Sequence, residues 1–154
     1  MMDVKELEKK WGRITVHLTS KDRHSEVALC LQSLRQQTYK LWDIIILDDA
    51  SGTPLGTHHP TISLVNRLKF ENHKVKFLRN EISNGVCSAR NKLIAEDDFS
   101  NQLTLRVDDD CIYESDYIER LVRVLEKGYH LATGIVPVTS QPEFERENKF
   151  IGDV

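Results

Sequence analysis

Four branched apolar residues stand in unbroken succession at Ile44-Ile45-Ile46-Leu47 and run straight into Asp48-Asp49. Side chains of a strand point alternately to its two faces, so a strand without polar alternation must be covered on both. That constraint selects a parallel sheet between helices, and the remaining sequence supplies the parts. Residues 14–19, 75–78 and 103–107 read as further strands, and residues 131–136 as a fifth. Helical periodicity separates them. Val27, Cys30, Leu31 and Leu34 share a face over residues 25–37, with Ser25 as the N-cap. Val86, Ala89 and Leu93 do so over residues 84–97. Ile118, Leu121, Val122 and Leu125 do so over residues 115–127, with Gly128 as the C-terminal cap. Residues 50–60 are a loop, followed by a helix carrying Ile62, Val65 and Leu68. Residues 1–10 form a short charged helix. The expected fold is α/β, with a mainly parallel sheet of at least four strands and helices on both faces.

In such a sheet ligands bind beyond the carboxyl ends of the strands. Strand one ends in Thr19-Ser20-Lys21-Asp22-Arg23, strand two in Asp48-Asp49-Ala50-Ser51-Gly52, and strand four in Asp108-Asp109-Asp110. Five carboxylates would then converge on one edge, where they repel and resist ionising together. Solvated turn residues explain a single Asp pair, but two clusters at strand ends favour a site. A divalent cation is the usual remedy, and oxygen ligands select Mg²⁺, Mn²⁺ or Ca²⁺. Gly85 suits a tight turn into the helix that carries Arg90. Arg90 is placed either to meet a phosphate or to pair with one of the Asp residues.

The rest of the composition narrows the classes. The 154 residues suit one domain with a sizeable core. Twenty-one basic against 24 acidic residues give a net charge of −3, which excludes a generally basic nucleic-acid binder. No apolar run approaches the roughly 18–20 residues that cross a bilayer. The charged residues 1–13 lack the apolar stretch of a secretory signal. Cys30, Cys87 and Cys111 form neither a disulfide framework nor a zinc pattern, and they read as reduced thiols in the cytoplasm. Cys111 reads as packing, His17 as a hydrogen-bonded core residue, and His58-His59 as loop residues.

Five segments, taken together and in order, resemble the family 2 glycosyltransferases, whose nucleotide-sugar-binding fold is called GT-A. Residues 14–23 look like that family's first strand and polar loop. Residues 31–39, Leu-Gln-Ser-Leu-Arg-Gln-Gln-Thr-Tyr, are similar to its SLxxQTY run. Residues 42–51 look like its second strand and acidic loop. Residues 85–91, Gly-Val-Cys-Ser-Ala-Arg-Asn, are similar to its GxxxARN helix start, and Asp108-Asp109-Asp110 falls where the family keeps its DxD motif. The resemblance implies a Rossmann-like GT-A fold of which this chain carries the N-terminal, donor-binding part.

Position by position, Thr19, Lys21 and Asp22 match the loop that frames the nucleoside. Asp49 matches the residue that accepts a hydrogen bond from the base, and Arg90 the arginine that faces the nucleotide. Asp108 and Asp109 are expected to approach the ribose or donor sugar, and Asp110 to bind Mn²⁺ or Mg²⁺. A UDP-linked sugar and an inverting reaction follow on the same ground, whereas the acceptor, whether saccharide, lipid or protein, is not specified by it. So does a cytoplasmic location, extending to the inner face of a membrane. Ser83 stands where the family often has Asn, and Lys21 where it has an aromatic residue or Asn. The expected division is a charged segment over residues 1–12, the nucleotide-sugar-binding domain over 13–140, and a charged tail over 141–154. The family's acceptor site and general base lie further along the chain, so no catalytic base is assigned. An apolar edge left by a fold that stops midway would favour self-association.

Two rivals share part of this pattern. Leu105-Arg106-Val107-Asp108-Asp109-Asp110 mimics the strand and acidic motif of haloacid dehalogenase phosphatases, but that motif belongs on a first strand. A receiver domain gathers carboxylates and Mg²⁺ at a sheet edge, but wants its acidic pair after strand one. The non-enzyme alternative is a donor-nucleotide-binding fragment that does not turn over alone.

Overall fold

The computed structural model describes residues 2–134. Four strands, β1 (Ile14–Ser20), β2 (Trp42–Asp49), β3 (Val75–Asn80) and β4 (Leu103–Asp108), form one sheet in the order β3-β2-β1-β4. All three pairings are parallel. Every residue of β2 is buried, as its apolar run requires. The helices are α1 (Val4–Trp11), α2 (His24–Arg35), α3 (His59–Phe70), α4 (Val86–Ala95) and α5 (Tyr117–Leu125). No helix among the described residues is long and apolar enough to cross a membrane.

The two faces of the sheet are unequally covered. Trp42, Ile44 and Ile46 of β2 join Val16 and Leu18 in the main core, with Leu7, Val27, Leu31, Leu34, Val65, Leu68, Ile118 and Val122 from α1, α2, α3 and α5. The other face carries a small cluster, Ile45 and Leu47 against Ala89 and Leu93 of α4. The charged N-terminal segment is held to the body of the fold. Asp3 and Glu6 form a reciprocal capping box on α1, Leu7 is buried, and Lys10 and Trp11 both reach Glu126.

The polar run after α2 is a structural staple. Gln37 is fully buried. Its amide nitrogen donates to Glu114 O at 2.7 Å, and its amide oxygen accepts from Ile118 N at 2.9 Å, in the first turn of α5. Thr38 N donates to Ser115 O, and the Tyr39 hydroxyl donates to Gly12 O at 2.6 Å. Three successive residues thus tie the end of α2 to the turn before β1 and to the start of α5.

Two expectations change. Residues 131–134 are not a strand, and Leu131 is exposed, because they meet no ladder partner among the described residues. Residues 135–136 of that expected strand, and the tail over 141–154, lie outside the described residues. Helix α2 begins at His24 with Arg23 as its N-cap, not after Ser25; a guanidinium has no acceptor with which to cap, and the Arg23 side chain turns to the end of β4.

Replacing Gln37 by Leu keeps the volume apolar but strands the buried Ile118 N, which loses its side-chain acceptor. Each buried group left unpaired costs about 1–3 kcal/mol. Urea unfolding of Gln37→Leu should show a lowered midpoint with an unchanged slope. An unchanged midpoint would refute the staple.

Candidate functional site at the carboxyl edge

Parallel pairing brings the acidic clusters to one edge. Ser20 lies beside Asp48, and Thr19 lies beside both Leu47 and Asp108. The ends of β2 and β4 therefore flank the end of β1. Their carboxylates do not form one uniform lining.

Alternation along β2 separates its Asp pair. Asp48 shares the main-core face and is fully buried. Its Oδ1 accepts from Ser51 N and its Oδ2 from Leu55 N, each at 2.9 Å. The Arg79 guanidinium closes on the same carboxylate and also donates to Ser51 O at 2.9 Å. Burial pushes the Asp48 carboxyl up, but these donors outweigh it and hold the group below the ordinary carboxylate range. Asp48 therefore builds the turn after β2 and does not line the edge, which corrects the expectation of five converging site carboxylates.

Asp49 turns to the α4 face, where it is 6% exposed. Its Oδ1 accepts from Asn80 Nδ2 and its Oδ2 from Ser83 Oγ, both at 2.6 Å. In the first loop, Asp22 adopts a positive φ of 56°. Its Oδ1 accepts from Gly52 N at 2.7 Å and its own N donates to Ser51 Oγ at 2.9 Å. The loops after β1 and β2 are thereby laced together. Thr19 is half-buried at the end of β1, and Lys21 is exposed.

The acidic triplet is held from behind and balanced from in front. The Tyr113 hydroxyl accepts from Asp108 N at 2.9 Å and donates to Asp108 O at 3.3 Å. Burial pushes the nearby Cys30 thiol up to about 12, so it is no nucleophile. Arg90 Nη2 of α4 sits 3.3 Å from Asp108 Oδ1. Arg23 Nη1 bridges Asp109 Oδ1 at 3.1 Å and Asp110 Oδ2 at 2.6 Å. Asp109 is nearly buried, whereas the side chains of Asp108 and Asp110 are about half exposed. Ser20 Oγ and Arg90 Nε are buried at this edge without a hydrogen-bond partner among the described residues.

Among the described residues, no three His, Cys, Asp or Glu side chains gather as a ready cation cage. Mg²⁺ and Mn²⁺ in phosphate sites use one or two carboxylates, with the other ligands from phosphate and water. The half-exposed carboxylate of Asp110 fits that pattern, and no dedicated cage is needed for it.

The structure thus brings Thr19, Asp22, Asp49, Arg90 and Asp108 to Asp110 to one edge, with Lys21 on the adjoining loop. Sequence reasoning missed Arg23, Arg79 and Asn80 as partners of the carboxylates, and Lys92 as the donor to Asn80 Oδ1. One signal was available: β3 ends in Arg79-Asn80, and parallel pairing sets these opposite Asp48 and Asp49. Arg23 carried no comparable signal, because its contact spans more than 80 residues.

Residues 15–151 match the sequence model of the family described as glycosyl transferase family 2. No curated protein matches the chain. Among solved structures, S. aureus TarS 1–349 aligns with a TM-score of 0.60 at 17% identity, over 75% of this chain and 32% of that one. The same TarS fragment in complex with UDP aligns with a TM-score of 0.60 at 16% identity, over the same shares of the two chains. The mannosyltransferase PcManGT from Pyrobaculum calidifontis, in complex with GDP-Man and Mn²⁺, aligns with a TM-score of 0.52 at 18% identity, over 71% of this chain and 34% of that one. The chain spans about a third of the length of these structures. Their likeness is one of fold, the N-terminal part of the GT-A arrangement.

The Asp48 geometry predicts an acid-sensitivity. A carboxyl held below its unfolded pKa of 3.8 adds stability above that pH, and the contribution drains away as pH falls below it. Arg79→Ala removes one donor to a charged acceptor, which costs about 1.5–3 kcal/mol near neutrality. It also leaves the upward push of burial less opposed. Acid unfolding followed by circular dichroism should begin at higher pH in Arg79→Ala than in the wild type. Coincident acid curves would contradict the role given to Arg79.

Proposed function

The chain belongs to glycosyl transferase family 2, and from that premise we propose that its carboxyl edge binds a nucleotide-diphosphate sugar, UDP-linked, for transfer to an acceptor hydroxyl with inversion. The observation that carries this reading is the meeting of Asp49, Arg90 and the acidic triplet around the end of β1. The roles follow from residue chemistry. Asp49 accepts from the base. Thr19, Lys21 and Asp22 frame the nucleoside on the loop that Asp22 pins to Gly52. Asp108 and Asp109 face the ribose or donor sugar, and Arg90 faces the nucleotide. The unpartnered Arg90 Nε and Ser20 hydroxyl support this, since a ligand would satisfy both.

Asp110 would hold Mn²⁺ or Mg²⁺ together with the diphosphate. Such a cation, when bound, neutralises the negative charge that develops on the leaving nucleotide. Without it, Arg23 and Arg90 hold the triplet in balance. The general base is assigned to no residue of this chain. A second reading is that this length of chain binds the donor without transferring it, favoured by its covering about a third of the structures it resembles. Assay of sugar transfer and of nucleotide-sugar hydrolysis separates the two.

Asp49→Ala should weaken UDP binding even with metal in excess, by about 1.5–3 kcal/mol for one lost bond to a charged acceptor. Unchanged affinity in calorimetry would remove Asp49 from the base site. Metal and nucleotide should each tighten the other, and linkage requires the effect to be reciprocal. UDP titrations at several Mn²⁺ concentrations should show affinity rising with metal in the wild type and in Cys111→Ser. In Asp110→Ala the metal-dependent part should vanish. Equal wild-type affinity in chelator and in millimolar Mn²⁺ would contradict the metal role of Asp110.

A further inference from the structure

Asp49 stands at the end of a relay that begins on α4. Lys92 Nζ donates to Asn80 Oδ1 at 2.6 Å and lies 3.5 Å from Arg79 O. Asn80 Nδ2 donates to Asp49 Oδ1, and Ser83 Oγ donates to Asp49 Oδ2. An ammonium only donates and a carboxylate only accepts. The Asn80 amide can therefore satisfy both neighbours in one orientation, oxygen to Lys92 and nitrogen to Asp49. Ser83 is directed likewise, since its oxygen accepts a long bond from Gly85 N at 3.4 Å and its hydrogen is left for Asp49. Both partners donate, and each carboxylate oxygen keeps a second lone pair.

We infer that Lys92, Asn80 and Ser83 are positioning residues that present Asp49 as a fixed acceptor, selecting nucleoside diphosphates whose base carries a ring N–H. Uracil and guanine offer such a hydrogen, at N3 and N1. Cytosine offers a lone pair at N3, which a carboxylate with no hydrogen to donate repels. The inference rests on the donor-nucleotide reading above and adds to it the origin of base selection.

The test is calorimetric titration of the full chain with UDP and with CDP at one Mg²⁺ concentration. Metal and diphosphate contacts are common to both ligands and cancel in the ratio of affinities. The wild type should prefer UDP. Lys92→Met and Ser83→Ala should each cut that preference about 3- to 10-fold, the scale of one hydrogen bond, by weakening UDP and not CDP. Lys92→Arg should retain most of it. Lys92→Met with Asn80→Ala should be no worse than Asn80→Ala alone, because the two act in one chain. A wild type that binds neither nucleotide overturns the donor reading and the relay with it, and one that binds both equally overturns base selection by the relay alone. A wild type that prefers UDP while Lys92→Met and Ser83→Ala keep its ratio overturns the relay alone, as does equal weakening of both ligands. Ser83 lies in the loop before α4, so its variant reports independently should Lys92→Met lose stability.

Discussion

Three carboxylates ride on a strand that is buried along its whole length, and much of the structure is arranged to supply them with donors. Water cannot reach Asp43, Asp48 or Asp49 freely, and a buried charge without partners is expensive. At the amino edge, Arg13 grips Asp43 through Nε at 2.8 Å and Nη2 at 2.6 Å, and Lys74 N adds a third donor at 2.7 Å. At the carboxyl edge, Arg79 and Asn80 of β3 clasp Asp48 and Asp49. The register of β3 on β2 is therefore fixed by charge at both ends as well as by packing between them. A slip of one residue would turn every side chain of β3 to the other face.

Alternation then divides the labour of adjacent residues. Asp48 points to the well-filled face and is consumed by the turn toward Leu55. Asp49 points to the thin face beneath α4, where the small cluster of Ile45, Leu47, Ala89 and Leu93 leaves polar groups near the edge. The same thin face carries Arg90 to Asp108. Repulsion within the triplet is met by Arg23 and Arg90, side chains that originate on α2's cap and on α4. An exposed ion pair is worth little in water. The half-exposed pair of Arg23 with Asp110 is therefore a contact that a stronger ligand could displace at small cost.

Local pattern made much of this legible. The unbroken run at Ile44 to Leu47 announced a doubly covered strand, and the parallel sheet followed from it. Helix periodicity placed α2, α4 and α5 to within a few residues. The five ordered segments pointed to the family now matched over residues 15–151. What the sequence did not disclose depended on contacts between distant residues. Gln37 looked like one more polar residue of a motif, and only the approach of α5 shows it stapling Ile118 and Glu114. Spacing alone left Asp48 and Asp49 equivalent, since it does not say which face turns to the core, and only the family resemblance singled out Asp49. The segment at 131–134 has strand-like composition, but composition supplies no partner strand.

The central claim is that the nucleotide occupies the carboxyl edge between β2, β1 and β4. Backbone amide NMR of the full chain, titrated with UDP in the presence of Mg²⁺, tests it most directly. The account predicts shifts concentrated at residues 19–23, 49–52, 83–90 and 108–111, while Arg13, Asp43 and His73 at the opposite edge stay still. Shifts centred on that opposite edge, or no saturable shifts at any UDP concentration, would contradict it.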